Sequence, residues 1–393
     1  MIKVKIKFVL GLVLVAGIAS CNKDNVIVSD EPDIPSETPE SPDLPDITEV
    51  MDGVFAGPSY FYRSTTRYTF VGRTVILTPL VEGNVYQWSV DGVASQFAGR
   101  SFSFTPAAPG EYNIEVQIDN ALTGKVKVVC VAHTESENYR RGTSTEAVVY
   151  EYVPAPGQFI NENNMTMTPD EANRWATKRL SDGEVISLGG FGGYVIVGFG
   201  HSIENFSIKG NAFTNKGGAS NEPGIVYVMQ DVNGNGLPDD EWYELRGSET
   251  GKESCIQNYS ITYSRPGAPK SAVDWIDCFG EQGVINYMGS FHSQDYYYPS
   301  WIAADEYTLR GTLVAVDSRF EAGQWIVSPL ESGYVDNTGS NNDRFDISDA
   351  VYSDLTPIDL QYVDFIKIQT GVNGNCGLLG ELSTEVCKVE IIN

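Results

Sequence analysis

The sequence predicts an all-β fold: a small antiparallel sandwich, then a larger β-dominated, jelly-roll-like domain with one or two short helices. Three observations carry this expectation. Apolar and polar residues alternate in "VYQWSV" and "EYNIEVQI", placing Tyr86, Trp88 and Val90 on one face and Tyr112, Ile114, Val116 and Ile118 on another. That period of two marks half-buried strands. The turn pairs "DG", "PG" and "TG" punctuate these runs at short intervals, as hairpins require. The best helix candidate is "TPDEANRWATKRL" (168–180). There Thr168 is placed to cap, Pro169 suits the first turn, Glu171 completes a capping box, and Ala172, Trp175 and Ala176 share a face.

The elements follow in chain order. Residues 1–20 read as a leader: Lys3, Lys5 and Lys7, then an apolar run from Phe8 to Ser20 that is too short to remain as a membrane span. The run ends in "IASC", which resembles the lipobox of bacterial lipoproteins. The resemblance implies that Cys21 becomes the lipidated N-terminus. "CNKDN" resembles the export signal of Bacteroidetes surface lipoproteins, which implies an outer-membrane, cell-surface location. Residues 21–51 form an acidic, proline-rich linker with too little apolar surface to offset its ordering entropy. It is read as a stalk.

The full chain carries a formal charge of −26. A leader ending before Cys21 would remove three lysines and no acid. Such a polyanion repels nucleic acid and anionic lipid and favours neutral or cationic ligands. Lipid-borne Cys21 aside, an oxidising exterior favours disulfides. Cys255, Cys278, Cys376 and Cys387 allow three pairings, with Cys255–Cys278 and Cys376–Cys387 favoured by proximity. Cys130, in phase with Val126 and Val128, reads as a small buried hydrophobe.

Residues 52–134 form the first domain. "YQWSVDG" followed by "FSFTPAAPGEYNIEV" resembles PKD-like immunoglobulin-type modules. The resemblance implies a spacer without chemistry of its own. Residues 138–393 form the second domain, with buried strands in "GYVIVGF", "GIVYVMQD", "YSITY", "EYTLRGTLVAV" and "FIKIQTG".

"DVNGNGLPDDEW" (231–242) reads as a calcium loop. Asp231, Asn233, Asn235 and Asp239 supply oxygens at positions one, three, five and nine, Gly236 allows the sharp turn at six, and the carbonyl of Leu237 stands at seven. Position twelve is Trp242, so Asp240 or Glu241 is expected to complete a structural Ca²⁺ site. The flanks read as strands, which sets the loop apart from an EF-hand. The alternative is a plain Asn-Gly and Pro-Asp turn.

No G-x-S-x-G elbow, H-E-x-x-H pair or C-x-x-C spacing occurs, and the protein is read as a binding protein and not an enzyme. The candidate ligand site is the aromatic stretch "FHSQDYYYPSW" with its surroundings. Its residues are Asn286, Tyr287, His292, Gln294, Tyr296, Tyr297, Tyr298 and Trp301, joined by Trp325 and Tyr334. Tyrosine and tryptophan pair a flat apolar face with a polar tip, which suits a planar ligand with a polar rim. The alternative is that these rings pack the core.

"GGFGGYVIVGF", "EPGIVYVMQDVNGNGLPDDEWYELRGSE", "YYYPSW", "FDISDAV" and "DFIKIQTG" together resemble a group of gut Bacteroidetes surface lipoproteins. These pair a PKD-like module with a C-terminal ligand-binding domain. The resemblance implies capture of vitamin B12 (a cobamide) beside a TonB-dependent outer-membrane transporter. The alternatives are a glycan-binding lipoprotein of a polysaccharide uptake system, and a structural or adhesive surface protein.

Overall fold

A computed structural model describes residues 54–392, apart from 216–217, 322–323, 339–342 and 378–379. The leader, Cys21 and the acidic linker lie outside the described residues. Among the described residues the chain is all-β. Its α-helices are Glu135–Asn138 and Pro169–Asp182, and no helix is long and apolar enough to cross a membrane.

The N-terminal part is built from the alternating segments. A five-stranded sheet runs in the order Arg67–Thr69, Leu122–Cys130, Gly110–Ile118, Tyr86–Val90, Val93–Ala94. It packs against the pair Val75–Leu77 and Phe102–Phe104. The inward phase is the one read from the sequence: Trp88, Ile114, Val116, Val126 and Val128 are buried together, and Cys130 is buried in phase with them. Trp88 stacks on Phe102 at 5.0 Å, and its indole N–H donates to the Gly99 carbonyl (2.9 Å), so the buried ring leaves no polar group unpaired.

The larger part centres on a six-stranded antiparallel sheet, ordered Ala350–Val351, Trp242–Leu245, Gly224–Met229, Val363–Thr370, Tyr194–Ile203, Val148–Val153. A four-stranded sheet, ordered Gln282–Ile285, Val273–Asp277, Cys255–Ser264, Glu306–Val314, shares its core. Helix Pro169–Asp182 forms as predicted, with both halves of the Thr168/Glu171 capping box present and Gly183 in the left-handed conformation (φ 73°) at its end. It buries Ala172, Ala176 and Leu180. It also covers the edge strand Val148–Val153. Asn173 accepts from the Tyr152 amide (2.9 Å) and donates to the Tyr150 carbonyl (2.8 Å), and Thr177 accepts from the Val149 amide (2.9 Å). Backbone groups of the edge strand thus find side-chain partners.

The two parts are tied together. Val54 and Phe55 pack in the N-terminal core, while Phe61 packs in the second core. The Phe61 amide donates to the buried carboxylate of Glu151 (2.7 Å), and the Tyr60 amide donates to the Tyr194 hydroxyl (2.8 Å). Arg67 pairs with Glu241 (3.3 Å) and Arg73 with Glu135 (2.8 Å). A spacer would not need to bury aromatic residues in its neighbour; this segment acts as a strap.

The expected disulfides are not formed, and all four thiols are free. Cys255 opens the strand Cys255–Ser264, whereas the Cys278 amide bonds to Ser260, five residues further along. At about 3.3 Å per residue this separation is far beyond the roughly 7 Å that a disulfide can bridge. Cys376 is buried in a cluster with Tyr334 and Leu382, while Cys387 is held elsewhere, its Sγ 3.5 Å from the Gly210 carbonyl.

Glu151 sets a pH dependence. Burial pushes its carboxyl up to about 7, opposed by hydrogen bonds from Ser59 and Phe61 and by the charge of Lys367. Lys367 stands over the rings of Tyr194 (4.6 Å) and Tyr227 (5.2 Å), and desolvation lowers its ammonium to about 8. A carboxyl raised on folding binds its proton more tightly in the native state, so stability falls as pH climbs from about 4.5 through 7. Glu151→Gln is expected to remove roughly 2–3 kcal/mol of that fall. Denaturant titrations of both proteins at pH 5 and pH 8 check it, and equal slopes with pH would reject the assignment.

Candidate functional site

The aromatic stretch lies in the irregular connection between Gln282–Ile285 and Glu306–Val314. It packs against a second irregular segment, residues 154–165. Asn161 Nδ2 donates to the carbonyls of Tyr296 (3.0 Å) and Tyr298 (2.7 Å). Gln294 Nε2 donates to those of Gln158 (2.6 Å) and Ile160 (2.8 Å). Loops without a ladder need such side-chain donors to satisfy their backbone.

The structure divides the predicted ligand residues into two sets. Gln294, Tyr297, Tyr298 and Trp301 are buried and are not available to a ligand. Their burial has a polar cause as well as an apolar one. The Tyr297 hydroxyl accepts from the Met288 amide (3.0 Å) and donates to the His292 carbonyl (2.8 Å). The Tyr298 hydroxyl donates to Ala304 (2.7 Å), beneath the Arg265 guanidinium (4.4 Å). The Trp301 indole donates to the Tyr152 carbonyl (2.8 Å) and stacks on that ring at 5.4 Å. Burial pushes the Tyr297 hydroxyl up to about 12. These rings are internal pegs that fix the loop.

Asn286 and Tyr296 face solvent, and Tyr287 and His292 are half-buried. Two phenylalanines absent from the predicted set join them: Phe291, 66 % exposed, and Phe159, 38 % exposed. Phe159 meets the His292 ring edge-on at 4.5 Å, and His292 Nδ1 lies 3.7 Å from the Glu162 carboxylate. Phe159, His292 and Glu162 thus lie side by side, a ring, an imidazole and a carboxylate. Phe159 stands far from the stretch in sequence, beside the "NENN" turn in which Asn161, Asn163 and Asn164 all adopt left-handed conformations. Trp325 and Tyr334 lie apart from this face, in the cluster with Ile225 and Leu382. Tyr334 is buried and accepts from the Glu249 amide (3.0 Å).

The loop 231–241 joins the paired strands Gly224–Met229 and Trp242–Leu245, as the sequence predicts. Asp231 accepts from the amides of Asn235 (3.1 Å) and Gly236 (2.8 Å) and pairs with Arg140 (2.9 Å). Asp239 takes the side-chain amides of Asn233 (3.1 Å) and Asn235 (2.9 Å), and Gly236 is left-handed (φ 78°). The side chains at positions one, three, five and nine thus engage within one loop. Leu237 contributes its amide to Asn235 Oδ1 (2.8 Å). Two expectations change. Asp240 is buried and holds the backbone amides of Val232 (2.7 Å) and Asn233 (3.3 Å), and Glu241 is turned to Arg67. Burial raises the carboxyls of Asp231, Asp239 and Asp240, so the loop concentrates poorly solvated negative charge.

No protein-family model matches the chain, and no curated protein matches it. Among solved structures, a SusE-like protein, BT2857, matches at 9 % identity over 83 % of this chain and 94 % of that one, with a TM-score of 0.19. A carbohydrate-binding module of the β-sandwich superfamily matches at 10 % identity over 83 % and 94 %, with a TM-score of 0.14. With TM-scores this low, no feature of those proteins transfers to this chain.

A further concavity of about 420 Å³ lies between the two parts, lined by Phe70, Arg73, His133, Glu135, Tyr352 and Ile358. It is separate from the aromatic loop.

The division of the loop has a direct test. Trp301→Ala is expected to cost about 3–5 kcal/mol of stability, and Tyr296→Ala no more than about 0.5. Equilibrium unfolding of both variants measures this, and equal costs would contradict the division.

Proposed function

We propose that the protein is a lipid-anchored surface protein that binds a neutral glycan on the outer face of the 286–301 loop and presents it to a TonB-dependent transporter, without turnover. The supporting observation is that exposed rings gather on this loop and on the segment it packs against: Phe159, Phe291 and Tyr296, with half-buried Tyr287, above buried pegs that fix the loop. Ring faces stack on the apolar side of a pyranose, and Glu162, His292 and Asn286 can bond hydroxyls at its rim. Rigidity lowers the entropy lost on binding. The formal charge of −26 favours an uncharged ligand. Size separates this reading from cobamide capture, which the family resemblance favours. A corrin needs a broad platform, and Tyr297, Tyr298 and Trp301, expected to supply it, are inside.

Calorimetric titration with neutral oligosaccharides and with cyanocobalamin decides between the two. Glycan binding lost at least tenfold in Phe159→Ala/Tyr296→Ala is the expected result. Heat with cyanocobalamin alone would reverse the choice.

The same reading includes a structural Ca²⁺ on Asp231, Asn233, Asn235, Asp239 and the Leu237 carbonyl, since hard oxygen donors in one loop suit this ion. Calcium is expected to slow amide exchange across 231–241, and Asp239→Ala to abolish the slowing. Identical exchange with calcium and with chelator would remove the ion.

A further inference from the structure

Three carboxylates from distant parts of the chain meet at one point. Glu222 precedes the strand Gly224–Met229, Asp336 follows Gln324–Val327, and Glu385 opens the strand Glu385–Val386. One oxygen from each lies within 4.8 Å of the others. Asp336 and Glu385 are buried, and Glu222 is half-buried. Asp336 Oδ1 accepts from the amides of Asn211 (2.8 Å) and Ala212 (2.7 Å), and its Oδ2 accepts from Glu385 (2.9 Å). Glu222 accepts from the Ser383 amide (3.3 Å), and Glu385 from the Asn211 side chain. No lysine or arginine is among these partners.

A fourth carboxylate, itself buried, lies near enough for its charge to reach the cluster. Glu381, 4 % exposed, lies in the extended segment that leads to Glu385, four residues before it. Its Oε1 accepts from the Gln158 amide (2.7 Å), and its Oε2 is buried without a hydrogen-bond partner. Its negative charge acts on both Glu222 and Glu385.

Asp336 accepts three N–H bonds over its two oxygens, and Glu381 Oε2 has no partner. Buried negative charges gathered without a basic residue call for a cation.

We infer that Glu222, Asp336 and Glu385 form a second cation site, for a hard divalent ion of the calcium type, with Glu381 in support. The donors are all oxygen, which selects calcium, magnesium or manganese over zinc or copper. The ion would fasten three segments far apart in sequence, with Asp336 114 positions after Glu222 and Glu385 49 positions after Asp336. The three proposed ligands are distinct from the residues of the aromatic loop and of the 231–241 loop.

The test uses the full chain, stripped with chelator and then returned to calcium chloride. Calcium is expected to slow amide exchange of Asn211, Ala212, Ser383 and Glu385 at least tenfold. Glu222→Gln and Glu385→Gln are each expected to lose one bound calcium per chain by elemental analysis, with protection of 231–241 retained. Exchange at those four amides that is the same with calcium and with chelator would overturn the site. So would variants holding as much calcium as the unaltered chain. Should the variants fail to fold, exchange in the unaltered chain decides alone.

Discussion

Irregular connections and short or edge strands leave main-chain carbonyls without a ladder partner, and in this protein buried aromatic side chains satisfy several of them. Tyr152 donates to Ser187, Tyr263 to Phe191, Tyr297 to His292, Tyr298 to Ala304, Tyr307 to Pro154 and the Trp301 indole to Tyr152. Each ring fills core volume while its polar tip closes a backbone vacancy. An unpaired buried carbonyl would cost about 1–3 kcal/mol, so the four of these bonds that are buried matter against a total stability of roughly 5–15 kcal/mol. A phenylalanine fills the same space and leaves the carbonyl unmet. This accounts for five of the chain's 21 tyrosines without assigning them to a ligand.

Regular elements were legible because period and chemistry agree there. Alternation placed Trp88 and Ile114 inward, and the Thr168/Glu171 signals placed the helix. The hairpin around Asp231 was legible from its oxygen spacing and flanking strands. The 286–301 loop was recognised as distinctive, but its inside and outside were not separable. In a segment without a period, Tyr296 and Tyr297 carry the same local signal, and only the packing of residues 154–165 divides them. Phe159 and the Glu222–Asp336–Glu385 meeting point were invisible for a related reason: their partners are brought together by topology and not by spacing. The disulfide expectation failed because proximity in sequence was taken for proximity across a strand.

The strap changes how the N-terminal sandwich is understood. Resemblance to a spacer module implies independence, yet Phe61 is buried in the second core and Glu151 depends on its amide. The second core is therefore joined to the N-terminal part through buried contacts.

The helix over Val148–Val153 bears on encounters between copies of the chain. Wherever copies meet at high concentration, a bare sheet margin invites strand-to-strand zippering between neighbours. Asn173 and Thr177 occupy main-chain groups on that margin, so the molecules can crowd together without fusing into aggregates along it.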